Sequence, residues 1–295
     1  MDPVKKAYLQ LHIAVLLYGF TAILGDLISL SAIVLVWWRV LITSVSLLFL
    51  IQFGKALLKI PRQLVLQYMG IGVLVGLHWI CFFGSIKYSN ASICLVCMAT
   101  ASFFTAFLEP LILKQPIKAY EIGLGLLVVP GMMLVVNNIE TTMMLGVWVG
   151  LLSSFLAALF ATLNKKLVNK AEPLSITFLE LGSACLFITC LLPFYLNNNP
   201  EAAFMPVGND WWYLLVLALA CTTFAYVLGL VSLKHISAFA ANLTVNLEPV
   251  YGIVLAWLIL KENEELNTGF YIGCLVILLT VFSYPFIKSR MEKSK

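Results

Sequence analysis

Ten runs of about twenty apolar residues follow one another along this chain, and that pattern constrains the fold more than any other feature. They cover roughly 8–26, 31–53, 64–86, 91–113, 119–137, 143–164, 174–196, 211–233, 238–260 and 268–287. A bilayer core about 30 Å thick needs about 20 residues at 1.5 Å rise each. Every run is therefore long enough for one crossing, and no stretch between them could form a soluble domain. The balance of residue types agrees: 62% are hydrophobic and 11% charged, with a mean hydropathy of +1.00. Such a chain has too little polar surface to face water. The expected fold is an all-α polytopic membrane protein.

Basic residues give the orientation. With the N-terminus inside, fifteen Lys and Arg fall in the inner segments. Only Lys87 and Lys261 fall outside, and Arg39 lies within an apolar run. This is a strong positive-inside signal, and it suits ten helices with both termini cytoplasmic. Trp211-Trp212-Tyr213 opens the eighth segment, where an outer aromatic belt belongs. The polar stretch from Asn197 to Asp210 is expected to be an exposed outer loop. The first run lacks a small-residue cleavage site after it and reads as an uncleaved helix. The net charge of +4 belongs to loops facing anionic lipid rather than nucleic acid.

The chain also repeats itself. Leu111-Ile112-Leu113-Lys114 recurs as Leu258-Ile259-Leu260-Lys261, 147 residues later. At the same offset Ser85 pairs with Ser232, Lys87 with Lys234, Ala91 with Ala238 and Trp79 with Tyr226. A duplicated five-helix unit must insert upside down in its second copy. Residues 1–140 and 141–295 are thus expected to be inverted repeats, an arrangement common in transporters.

Other chemistry finds little support. The seven cysteines all lie in apolar segments. Cys94 and Cys97 have the CxxC spacing, but without a second pair or a His cluster they read as packing residues. No metal site or cofactor is expected. There is no phosphate-cradling glycine loop and no nucleophile elbow, so neither ATP-driven pumping nor an enzyme is indicated.

The informative residues are the ionisable ones at membrane depth, each costly in lipid. Arg39 is about 12 Å into the second segment, too deep for easy snorkelling. It is either a structural brace or a fixed positive charge for a substrate carboxylate or phosphate. Glu180, about 9 Å into the seventh segment, stands on the inverted counterpart of the second and is a candidate mate of Arg39. Glu248 lies near the midplane in Asn246-Leu247-Glu248-Pro249, where the proline frees the Val245 carbonyl and favours a bend. It is the first candidate for a proton carrier. Asn242 and Asn246 add polar lining beside it, or else an interhelical hydrogen-bond cluster. His78 has a ring that titrates near neutral pH and is a second proton-relay candidate, or a satisfied structural donor. Trp79 and Tyr226 are candidate aromatic walls from the two halves. Glu109-Pro110 repeats the Glu-Pro dipeptide near the inner end of the fourth segment and ranks below Glu248, with Glu121 lower still.

Taken together, these residues resemble a known family. The duplication is similar to the drug/metabolite transporter superfamily and its EamA-type members, over nearly the whole chain. The likeness is sharpest from Asn246-Leu247-Glu248-Pro249-Val250 to Leu258-Ile259-Leu260-Lys261-Glu262, with Tyr18-Gly19 and Trp38-Arg39 in support. The first half departs from the pattern: Ala101-Ser102 stands where proline is usual, and Gln115 replaces the terminal Glu. The resemblance implies a central cavity lined by helices 1, 3, 4, 6, 8 and 9 that rocks between inward-open and outward-open states. It also implies secondary transport of small solutes, commonly export, across the cytoplasmic (inner) membrane. A small polar, amino-acid-like substrate is the favoured reading. A drug exporter, a lipid-type translocase and a passive channel are the alternatives. The expected partners are a small-molecule substrate and membrane lipids; two complete repeats make a monomer sufficient and leave a dimer open.

Overall fold

The computed structural model describes residues 2–50, 57, 59–136, 141–248, 251–252, 255 and 268–293, and among them the chain is helical with no strands. The first helices are α1 (Pro3–Leu27), α2 (Ala32–Leu50) and α3 (Arg62–Tyr88), followed by α4 (Ala91–Met98), α5 (Ala101–Leu113) and α6 (Ala119–Val136). After a short 3₁₀ turn come α7 (Met144–Leu167) and α8 (Pro173–Asn198). The next, α9 (Asp210–Ala218), runs through a π-helical stretch, Leu219–Phe224, into α10 (Ala225–Leu233). Then follow α11 (Ala238–Val245) and α12 (Thr268–Lys293). These boundaries fall close to the apolar runs.

Seven spans among the described residues are long and apolar enough to cross a membrane: Pro3–Leu27, Ala32–Leu50, Arg62–Tyr88, Ala91–Leu113, Thr141–Leu167, Pro173–Asn198 and Asp210–Leu233. The fifth, ninth and tenth apolar segments are not among these seven. Pro249 and the second copy of the tetrapeptide, Leu258 to Lys261, lie outside the described residues. The first copy closes α5, where Lys114 takes the left-handed conformation at φ 53° and its N–H returns to the Pro110 carbonyl.

Several local features recur at the 147-residue offset. The fourth segment breaks after Met98, where the Thr100 N–H bonds the Cys97 carbonyl three residues back. The ninth does the same after Val245, where the Leu247 N–H bonds the Thr244 carbonyl. Asn90 caps α4 through the Ile93 N–H, and Ser237 caps α11 through the Ala240 N–H. Near the ends of α3 and α10, Ser85 donates to the Gly146 carbonyl at 2.8 Å and Ser232 to the Ala7 carbonyl at 2.9 Å. Each of these two bonds joins one half of the chain to the start of the other.

Close backbone approach explains Tyr18-Gly19. A Cβ on Gly19 would lie 3.1 Å from the Gly252 nitrogen and 3.5 Å from the Glu248 carbonyl oxygen, so α1 passes tightly over the Glu248 turn. A polar ladder joins α5 to α11. Asn242 donates to Thr105 at 2.7 Å, and Asn246 donates to Ser102 at 3.0 Å. At its base Glu109 accepts the backbone N–H groups of Ala238 at 3.0 Å and Phe239 at 2.6 Å. The first N–H groups of a helix have no intrahelical acceptor, and the positive end of its dipole favours an acid there. Glu109, ranked low on position alone, is thus a helix cap supplied from another helix. Glu109→Ala is expected to cost about 2 kcal/mol, the scale of hydrogen bonds to a charged group, and to lower the melting temperature of the purified protein. An unchanged melting temperature would refute the capping role.

Candidate functional site

Between the helices lies a cavity of about 130 Å³, room for about four water molecules or one small solute. Six of the eight candidate residues line it: Arg39, His78, Trp79, Tyr226, Asn242 and Glu248. Tyr18, Thr21 and Asn164 add to its polar lining, and Met98, Phe160 and Leu230 are among its apolar walls. Glu180 and Asn246 are buried outside it, Glu180 directly behind Tyr226 and Asn164.

Arg39 is 1% exposed and forms no ion pair with a carboxylate among the described residues. Its Nε donates to the Thr222 hydroxyl at 2.6 Å, and its guanidinium carbon lies 3.9 Å over the Trp79 ring. Stacking on an indole face partly replaces hydration for a guanidinium. Nη1 is buried with no hydrogen-bond partner among the described residues. The π-helical stretch explains why Thr222 is in place. Its looser winding lets Thr222 and Thr223 donate to the Leu217 and Ala218 carbonyls five residues back, at 2.6 and 2.9 Å. Thr43 on α2 adds a third hydroxyl, on Ala218 at 3.1 Å. Sequence reasoning passed over Thr222. The adjacent hydroxyls of Thr222-Thr223 in an otherwise apolar segment were the available signal.

The pairing of Arg39 with Glu180 as mates on mirrored helices is not observed. Among the described residues the one ion pair joins Lys118 and Glu121 at 3.1 Å, well away from both. Glu180 is instead held by Tyr226 at 2.5 Å and Asn164 at 3.2 Å. Tyr226 packs edge-on to Trp79 with ring centroids 6.3 Å apart, so two aromatic rings stand between the acid and the guanidinium.

His78 is braced against α7. Its Nδ1 lies 2.9 Å from the Ser153 carbonyl oxygen and 2.9 Å from the Ser153 hydroxyl, which donates to the His78 carbonyl. A carbonyl only accepts, so Nδ1 carries the proton and Nε2 is left as the basic nitrogen. Asn242 reaches the cavity while bonded to Thr105, and Asn246 serves the α5–α11 ladder alone. Glu248 is 4% exposed, directly after the break in the ninth segment. It shares the cavity with Arg39 without forming an ion pair to it among the described residues. The two thiols of the CxxC spacing go to separate carbonyls, Cys94 to Phe82 and Cys97 to Val147.

At the end of the molecule opposite the N-terminus, polar contacts join neighbouring segments. Asp210 accepts the Ser29 hydroxyl at 2.6 Å and the Ser29 and Val207 N–H groups at 3.1 and 3.3 Å. Lys87 donates to the Ile28 carbonyl at 2.7 Å. The loop after α8 is mostly exposed, but Phe204 packs among Trp37 and Trp38, and Trp38 donates its N–H to the Phe204 carbonyl at 2.8 Å.

A bundle of apolar helices around a small cavity with a few convergent polar groups has the build of a membrane transporter. The chain belongs to the EamA-like transporter family, whose pattern matches residues 5–137 and again 144–284. It is 28% identical to the uncharacterized transporter YetK of Bacillus subtilis over 94% of this chain and 88% of that protein. With the uncharacterized transporter YyaM of the same organism the identity is 24%, over 93% of each. A solved crystal structure superposes with a TM-score of 0.74 at 14% identity, covering 98% of this chain and 99% of that one, which shows a shared fold.

Proposed function

We propose that this protein is a secondary active transporter for a small zwitterionic, amino-acid-like metabolite, working by alternating access in the cytoplasmic membrane. The observation that carries the reading is one cavity holding both Arg39, with a buried and unpartnered Nη1, and Glu248, with no ion pair between them. An unused guanidinium donor suits a carboxylate, and a carboxylate on the same cavity suits an ammonium group. A solute carrying both charges would satisfy two groups that are otherwise costly to bury.

The reading includes ten spans in two inverted repeats, 1–140 and 141–295, with both termini cytoplasmic. The matched helix breaks, the paired caps and the two serine bonds between halves support it. So does the double match to one family pattern. With the far end tied through Asp210 and Ser29, and Leu11 and Leu233 lining the cavity toward the N-terminal face, this conformation is the inward-facing one. Export is the direction the family resemblance favours. Proton coupling places the exchanging proton on Glu248, where a substrate ammonium would compete with it, and His78 Nε2 offers a second acceptor in the same cavity.

The aromatic lining of Trp79, Phe82, Phe160 and Tyr226 favours a planar, drug-like cation as the second reading. A thermal-stability screen of the purified protein separates the two, because a ligand that binds only the folded state raises the melting temperature. Zwitterionic amino acids are expected to stabilise it, by about 2.7 kcal/mol at a hundred times Kd. Stabilisation by aromatic cations alone would overturn the zwitterion reading.

A further inference from the structure

Glu180 is fully buried one layer behind the cavity wall, and its surroundings are short of one hydrogen. Oε2 accepts the Tyr226 hydroxyl at 2.5 Å and the Asn164 amide at 3.2 Å, and the same amide lies 3.3 Å from the Tyr226 oxygen. Oε1 of Glu180 and Oδ1 of Asn164 are both buried acceptors with no partner among the described residues. An ionised carboxylate can only accept, whereas a protonated one also donates. One added proton therefore turns a bare acceptor into a donor in a cluster that holds two bare acceptors.

The groups facing Glu180 supply no compensating cation. From α3 comes Tyr68, whose hydroxyl donates to the Leu167 carbonyl at 3.0 Å. The Arg39 guanidinium on α2 does not face it, being held by Thr222 and Trp79 beyond the Tyr226 and Trp79 rings. From α10 comes Tyr226, and from α7 Asn164, whose neighbour Lys165 turns away to the Leu233 carbonyl at 2.6 Å. The α3 side is sealed by backbone, since a Cβ on Gly72 would lie 2.0 Å from the Glu180 carbonyl oxygen. Tyr226 and Asn164, by contrast, both line the cavity.

We propose that Glu180, Tyr226 and Asn164 form a proton-binding site behind the cavity wall, distinct from Glu248, that exchanges its proton through the Tyr226 hydroxyl. In the loading step Tyr226 passes its hydroxyl proton to Glu180 while its oxygen takes a proton from a hydronium ion that has entered the cavity, which is left as neutral water. The tyrosine ends neutral and the carboxyl gains one proton. The site deepens the transporter reading, because Tyr226 touches Trp79, on which Arg39 is stacked. A proton at Glu180 therefore changes the hold on the wall of the solute site without occupying it.

The test is a pH-difference infrared spectrum of the reconstituted protein without solute, for wild type, E180Q, Y226F and E248Q. Wild type is expected to show a protonated-carboxyl component that persists in E248Q, is lost in E180Q while the Glu248 component remains, and is shifted in Y226F, which loses the bond to Oε2. If the E180Q spectrum matches wild type, or if E248Q removes every carboxyl change, the proposal is overturned. Should E180Q not fold, Y226F decides: a shifted band supports the site and an unmoved band ends it. Solute binding is measured separately, so a failure of the zwitterion reading leaves this spectrum unchanged and the two outcomes stay distinct.

Discussion

Replacing Arg39 by Ala is expected to weaken binding of a zwitterionic solute by about a hundredfold or more and to bring its transport to background. Removing one partner of a buried charge pair costs roughly 2–5 kcal/mol, and each 1.4 kcal/mol is tenfold in affinity. The guanidinium is buried, stacked on Trp79 and left with a free Nη1, so no water replaces it cheaply. Arg39→Lys keeps the charge but loses the planar fork and the stacking, and should recover only part of the loss. Thr222→Val provides the control, because it removes the Nε contact and leaves the cation in place. Titration calorimetry with a solute found by thermal stability would read all three. If Arg39→Ala left no folded protein while Thr222→Val bound normally, Arg39 would be a structural brace.

The second large effect is expected at Glu248. Glu248→Gln keeps shape and hydrogen bonding but can neither release a proton nor carry charge. In proteoliposomes, net transport driven by a pH gradient should fall to background. Exchange of labelled for unlabelled solute, which moves no net proton, should survive with affinity weakened roughly tenfold, or about 1.4 kcal/mol. Full pH-driven transport in this variant would remove Glu248 as the proton carrier. The same pair of assays on Glu180→Gln tells whether the site behind the wall shares the coupling.

The segment boundaries were readable because membrane insertion depends on local length and hydropathy. The seventh run, read as 174–196, appears as Pro173–Asn198, and the eighth, read as 211–233, as Asp210 to Leu233. The site was readable in part. A buried Arg or Glu is costly wherever it lies, so Arg39, Glu180 and Glu248 stood out from cost alone. Their partners did not. Arg39 was expected to meet a charge, and it meets a hydroxyl and an indole. Asn164 is a polar residue in a helix that also carries serines and a threonine, and nothing in its local pattern distinguishes it, whereas Thr222 was signalled only by the adjacent hydroxyl of Thr223. Glu109 ranked below Glu248 from its place near the inner end of the fourth segment, but its carboxylate finds the start of a helix some 130 residues further on.

By itself, then, the sequence determined the solvent, seven of the ten spans read from it, the family and the few charges that must be accommodated, since these follow from the free energy of single residues and short segments in lipid. Only the tertiary structure decided what those charges do. It placed Arg39 and Glu248 in one cavity, set Glu180 behind Tyr226 and Asn164, and made Asn246 part of an interhelical ladder. Those assignments depend on which helix faces meet and on a π-helical turn that rotates Thr222 toward Arg39, and helix packing is a property of the whole bundle.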